Sequence, residues 1–183
     1  MKLSKCFLVA CAALVNAGVC ANELPLITPV DQVDLPRFMG NWYAIASIPT
    51  RPEQEAYNAV EVYTLKPTGD IATSFRFRAG SFEGKAREIR SVGFVKEGTG
   101  NAVWGVQVFW PLKMQYIVAH LNADYSQVIV ARDARDYAWV MARTPTLSQT
   151  DYDALVSRVK ALGYDVSKLR KVPQRWSSAG QVP

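Results

Sequence analysis

Cysteine is scarce, and what there is sits at one end. The chain has three, Cys6, Cys11 and Cys20, all within the first twenty positions of 183. The rest of the chain therefore has no internal disulfide, no thiol nucleophile and no cysteine zinc site. Histidine is limited to His120, which closes an alternating stretch beside a turn. A lone histidine without cysteine partners reads as a turn or surface residue rather than a base or a ligand. No nucleophile-elbow sequence accompanies it. The glycines of "KEGTGN" lack the lysine and the following helix of a phosphate loop. Asp133 and Asp136 flank a turn, where acids are ordinarily solvated or cap the backbone. Long apolar runs are absent after residue 21, so no later segment is of a length to span a bilayer as a helix. These absences argue against an enzyme and lead to the expectation of no cofactor and no bound metal.

What the chain does have begins with an export segment. Lys2 and Lys5 precede the uncharged run "CFLVACAALVNAGVCA", which is short for a membrane span and ends in small residues, as a signal peptide does. Two processing routes are open. "VCA" at 19–21 fits cleavage after Ala21 and a free periplasmic protein. "NAGVC" is a lipobox-like alternative in which Cys20 carries the lipid and the protein sits at the outer membrane, although Val19 is a poor residue before the cysteine. The expected organisation is a signal peptide over 1–21, one domain over 22–176 and a flexible tail over 177–183. Losing the two lysines lowers the formal charge from +5 to +3. Removing 21 of 183 residues leaves 162, enough for one domain with a sizeable core.

From 40 to 143 the pattern is strands between turn residues. "NWYAIASIP" leads to a Pro-rich loop, "YNAVEVYTL" to a turn at Pro67 and Gly69. "IATSFRFR" alternates strictly, with Ile71, Thr73, Phe75 and Phe77 on one side and Ser74, Arg76 and Arg78 on the other. "AREIRSVGFV", "AVWGVQVFW", "KMQYIVAHL", "YSQVIVARD" and "YAWVMART" complete eight strand-like segments, the fifth ending at Pro111. The period then changes. Tyr152, Leu155, Val156, Val159 and Leu162 form one helical stripe, with Ser148 or Thr150 as cap and Gly163 as stop. Eight strands with short sequential turns favour an all-β, up-and-down antiparallel barrel, closed so that no edge is exposed, with the C-terminal helix laid on its outside. Such a barrel has room for side chains or for one small ligand.

Three stretches carry a resemblance to a known family. "DLPRFMGNWYAIA" at 34–46, "NADYSQVIVARD" at 122–133 and "DYAWVMARTPTLS" at 136–148 resemble, in order, the signatures of the lipocalin family, most closely the bacterial lipocalins of the Blc type. "LGYDVSKL" at 162–169 is similar to the close of that group. The resemblance implies a lipocalin barrel whose floor is plugged by Trp42 after Gly40, with Arg143 stacked on the indole. Tyr43 and Ile45 would then face outward, under the helix. It also implies a cavity, a homodimer in some relatives, and a role in binding or carrying amphipathic lipid during envelope maintenance or stress.

Alternation supplies the candidate lining of that cavity. Phe75 and Phe77; Trp104, Val106 and Val108; Tyr116 and Val118; and Trp139 and Met141 share the side opposite their polar neighbours. The same residues would also suit a barrel filled solid. If Tyr63 faces inward then Glu61 does too, and a buried carboxylate needs a partner or a proton; one residue of register shift would turn Val60 and Val62 inward instead. A fatty acid or lysophospholipid suits such a pocket. A chain of about 16 carbons gains roughly 12 kcal/mol gross at about 0.8 kcal/mol per buried CH₂, of which ordering takes back several kcal/mol. The headgroup is expected at the mouth, near the loop at 49–56. Arg76, Arg78, Arg87 and Arg90 are interleaved with Glu83 and Glu88, the composition of a solvated outer face rather than a nucleic-acid platform. The basic segment "KLRKVPQRW" at 168–176 reads as a frayed tail, with contact to an anionic membrane surface as the alternative.

Overall fold

In the computed structural model, residues 24–50 and 53–176 are described. The expected signal peptide over 1–21, with its alternative ends at Cys20 and Ala21, and the tail over 177–183 lie outside them. A four-residue helix α1 (Leu35–Phe38) leads into β1 (Gly40–Ile48), followed by β2 (Ala56–Leu65), β3 (Ile71–Ala79), β4 (Ala86–Val95), β5 (Val103–Gln107), β6 (Met114–Leu121), β7 (Gln127–Ala131) and β8 (Ala138–Ala142). The helix α2 (Gln149–Ala161) and a two-residue strand β9 (Arg170–Lys171) complete the order. Each strand pairs antiparallel with the next, β8 pairs with β1, and β1 pairs with β2. The sheet thus closes into an eight-stranded up-and-down barrel with one helix on its outside.

Side-chain parity explains how the sequence fills it. In β3, Ile71, Thr73, Phe75 and Phe77 are buried and each intervening residue is partly exposed. β1 differs because both its faces are covered. Trp42 and Ala44 point into the barrel, while Ile45, Ala46 and Ile48 meet the helix layer. A bulge between Ala44 and Ala46 makes this possible, since the extra residue resets which side follows. Helix α2 lays Leu155 and Val159 on that outer layer, against Ile117, Ile129 and Val140. Ser148 caps it, its hydroxyl accepting from the Asp151 N–H at 3.1 Å. Gly163, at φ +88°, ends it in the left-handed conformation that suits glycine.

The floor is built by one stack. Arg143 lies 3.9 Å from the Trp42 ring centroid. Its guanidinium donates to the carbonyls of Asn41 (2.8 Å), Arg37 (2.7 Å) and Phe38 (3.0 Å). The Trp42 Nε1–H donates to the Phe38 carbonyl at 2.8 Å. One arginine therefore satisfies the end of α1 and lids the plug in the same contact. Gly40 sits at φ +90°, where an added Cβ would come 3.6 Å from Arg143 Nη1.

Two expectations fail. The fifth strand ends at Gln107, not at Pro111, and Val108–Leu112 form an exposed connection. Nor is the segment up to Trp176 a frayed tail. β1 and β2 pair only from Gly40–Tyr63 to Tyr43–Val60 and then part. Residues 170–175 fill the gap. β9 pairs with Ala46 and Ser47, the Val172 N–H donates to the Ile45 carbonyl, and Gln174 Nε2 donates to the carbonyls of Ala44 (2.7 Å) and Ala59 (3.0 Å). Trp176 meets Tyr43 edge-on at 5.3 Å, so Tyr43 is covered by this segment as well as by the helix layer. Backbone groups left open by the splayed strands are thereby satisfied, which is the physical reason the segment docks.

Candidate functional site

The barrel is solid below and hollow above. Phe38, Trp42, Tyr63, Trp104 and Tyr116 pack as one aromatic group over the floor. Trp104 stacks parallel on Tyr116 at 4.6 Å, and its Nε1–H donates to the Asn101 carbonyl at 2.7 Å. Above them lie two adjoining chambers. The inner one, about 70 Å³, is walled by Glu61, Tyr63, Thr73, Phe75, Ser91, Tyr116 and Trp139 among others. The outer one, about 270 Å³, is walled mainly by Ile89, Val106, Val108, Phe109, Met114 and Tyr137, with Thr50, Glu53, Gln115 and Arg132 as more polar members. For scale, an apolar cavity of about 150 Å³ accommodates benzene, so the outer chamber has room for a longer apolar group.

Of the eleven residues singled out by alternation, seven reach a chamber wall: Glu61, Tyr63, Phe75, Val106, Val108, Tyr116 and Trp139. Phe77, Trp104, Val118 and Met141 are inside the barrel but belong to its packed part. Phe77 lies against Phe75 at 5.1 Å, and Val118 and Met141 share the lower core with Trp42, Val128 and Val130. The cup is shallower than strand parity suggests, because the large aromatics fill its lower part. Val108 lines the chamber from the β5–β6 connection, not from a strand, and is half-exposed.

Glu61 resolves the register at β2. Tyr63 and Glu61 point inward together, and Val62 pairs with Ser74 on the other side. Thr73 shares the chamber wall with Glu61, whose Oε2 is buried without a partner. Desolvation is the main cause that pushes its carboxyl up to about 8, opposed by Thr73 and reinforced by Glu53. Below that pH the group is neutral and offers a donor to the chamber. The Tyr63 and Tyr116 hydroxyls meet at 2.7 Å, and burial raises both phenols. Thr73 and Ser91 are joined at 2.6 Å. Polarity in the cup is thus concentrated in hydroxyls and a neutral acid.

The mouth carries groups that alternation does not reveal. Glu53, in the β1–β2 loop, is also pushed up by burial and accepts from the Thr50 N–H at 3.0 Å. Arg132 donates from Nη1 to Asp136 at 3.1 Å, while its Nε is buried without a partner. Asp133 is a fixed element of the rim, not a solvated turn acid. It accepts from Gln115 Nε2 (2.7 Å) and from the Ile27 N–H (2.8 Å). His120 is elsewhere, on the outer wall opposite Ile129, bonded to Asn122 at 2.9 Å. The acids Glu53 and Glu61 share the cup without it.

The comparisons agree with this architecture. Residues 33–174 match the family described as a lipocalin-like domain. Temperature-induced lipocalin-1 of Arabidopsis thaliana is 32% identical over 155 residues, covering 79% of this chain and 81% of the relative. The outer membrane lipoprotein Blc of Vibrio cholerae is 25% identical over 92% of this chain and 98% of its own. That of Escherichia coli is 29% identical over 85% and 88%. Among solved structures, insecticyanin from the tobacco hornworm Manduca sexta superposes with a TM-score of 0.62 at 16% identity, covering 85% of this chain and 87% of its own. Apocrustacyanin C2 gives 0.62 at 9%, over 80% and 81%. These last two show the fold alone. With its closed barrel, plugged floor and family match over most of its length, the chain belongs to the lipocalin family.

Proposed function

We propose that this protein is a non-enzymatic carrier of an amphipathic lipid, a fatty acid or a lysophospholipid, in the bacterial cell envelope. The observation that carries the reading is the two-chamber cup. It is mainly apolar, and the two buried side-chain polar atoms without a partner among the described residues, Glu61 Oε2 deep inside and Arg132 Nε at the mouth, belong to residues that line it. An acyl chain would occupy the chambers, gaining about 0.8 kcal/mol per buried CH₂. The carboxylate or phosphate would meet Arg132, where a charge-assisted hydrogen bond contributes about 1.5–3 kcal/mol. Similarity to outer membrane lipoproteins Blc supports the envelope setting. On this reading the export segment delivers the protein either free, or anchored through Cys20.

The test is titration with a fluorescent fatty acid and its displacement by unlabelled palmitate, by lysophosphatidylcholine and by hexadecane. Saturable uptake at one site per chain, with both amphipaths competing and the Arg132→Gln variant weakened, is the expected result. Failure of both amphipaths to compete would remove the reading.

A further inference from the structure

β4 outlasts its neighbour. Its ladder with β5 runs from Val92–Gln107 to Val95–Trp104, so among the described residues Ala86–Ser91 have β3 on one side and no strand on the other. Beside this unpaired edge stands the β5–β6 connection. A turn closed by the Leu112 N–H donating to the Phe109 carbonyl at 3.1 Å presents its side chains outward. Phe109 is 65% exposed, Trp110 84% and Leu112 60%, with Val108 and Met114 flanking them half-exposed. Single exposed apolar residues need no explanation, but five within seven positions mark an interaction site.

The surroundings say what it meets. Arg87 and Arg90 are exposed on the unpaired edge, and exposed Lys113 closes the loop, its ammonium 3.6 Å from the Phe94 ring centroid. The one acid of that edge, Glu88, is held by Arg76 (3.2 Å) and Arg90 (2.7 Å). Apolar tip plus flanking cations is the pattern of a segment that enters the headgroup region of an anionic bilayer. A tryptophan at the tip favours that interface. One such loop falls short of the roughly 800 Å² per partner that a stable protein complex needs, whereas a bilayer demands no complementary surface. The same side chains also continue inward. Ile89 of the edge, Val108 and Phe109 of the loop and Met114 at the start of β6 wall the outer chamber.

We infer that the 108–113 connection, with the Arg87–Arg90 edge of β4, is a membrane-docking surface for anionic bilayers that holds the mouth of the cup against the lipid. Docking goes beyond ligand binding in the cup. Only its consequence, passage of an acyl chain between bilayer and chamber without crossing water, rests on that reading.

The experiment is flotation of the exported, processed chain, produced with Cys20→Ser in every arm so that no acyl anchor contributes. Phosphatidylcholine vesicles are compared with mixed phosphatidylcholine–phosphatidylglycerol vesicles. The protein should float with the mixed vesicles. Trp110→Ser with Leu112→Ser should weaken partition by at least about tenfold, as expected for removing two inserted apolar side chains. Arg87→Gln with Lys113→Gln should remove the dependence on phosphatidylglycerol. Neither pair lines a chamber, so uptake of the fluorescent fatty acid from solution should be unchanged in both. A protein that does not float, or a Trp110/Leu112 variant that floats as well as its parent, overturns the proposal. So does a dimer by light scattering that the Trp110/Leu112 pair converts to monomer while neither form floats, since the loop would then meet a second copy. Flotation without fatty-acid uptake would keep the docking surface and sink the carrier reading instead.

Discussion

Glu61 is the residue whose chemistry decides most. Its carboxyl ionises near 4.5 in the unfolded chain and is pushed up to about 8 in the folded one. Between those values the folded state binds the extra proton, so stability falls as pH rises through that window. The penalty is absent below about pH 4.5 and complete above about pH 8. Glu61→Gln keeps the shape and removes the charge. It should stabilise the protein at pH 9 by a few kcal/mol, on the order of 3, and flatten the pH dependence of denaturant unfolding. If parent and variant lose stability in parallel between pH 5 and pH 9, the carboxyl is already solvated. The same ionisation would place a charge beside a bound acyl chain. Affinity for lysophosphatidylcholine should therefore drop from pH 7 to pH 9 in the parent and stay level in Glu61→Gln, as read by isothermal titration. Arg132 acts at the other end of the cup. Arg132→Gln should weaken a fatty acid by about tenfold, in line with one lost charge-assisted hydrogen bond, and leave an uncharged monoacylglycerol nearly unaffected.

At the scale of elements, the C-terminal segment closes what β1 and β2 leave open. Gln174 alone bridges the Ala44 and Ala59 carbonyls. Gln174→Ala should cost about 1–3 kcal/mol, because two buried acceptors lose their donor; a thermal midpoint equal to the parent's would show that the seam seals without it. Ser148→Ala removes the cap of α2 and should cost about 1 kcal/mol, which chemical denaturation resolves. These elements also show what strand patterns carry and what they omit. "IATSFRFR" announces its inward set because β3 has no bulge, and Phe75 and Thr73 are found where parity puts them. The stripe of α2 is equally plain, since one apolar face needs one surface. The segment 170–176 is opaque for the opposite reason. It is rich in cations, and its stability comes from carbonyls and gaps more than a hundred residues away. Arg132 and Glu53 give no periodic signal either, because they enter the cup from turns rather than from strands. The early end of β5 is hidden because Val108, Phe109 and Trp110 are good strand formers that the barrel leaves outside its ladder.

For the whole molecule, the division of labour runs along the barrel axis. The closed end is held by Trp42, Arg143 and the aromatic group beneath the chambers. The open end gathers the orphaned guanidinium nitrogen and the exposed apolar loop, and the neutral acid lies between the two ends, deep in the cup. An interior only partly hollow explains why inward-facing residues outnumber those that can touch a ligand. Trp104, Phe77, Val118 and Met141 make the cup by filling the space below and beside it. Uptake of one acyl lipid by the hollow part follows from the proposed function. Its most direct test is native mass spectrometry of the purified protein, offered palmitate and lysophosphatidylcholine, beside a variant in which Val106→Trp fills the outer chamber. One lipid per chain is expected on the parent and none on the variant, with both folded. A parent that stays free of lipid, or a filled variant that binds as well as the parent, would contradict it.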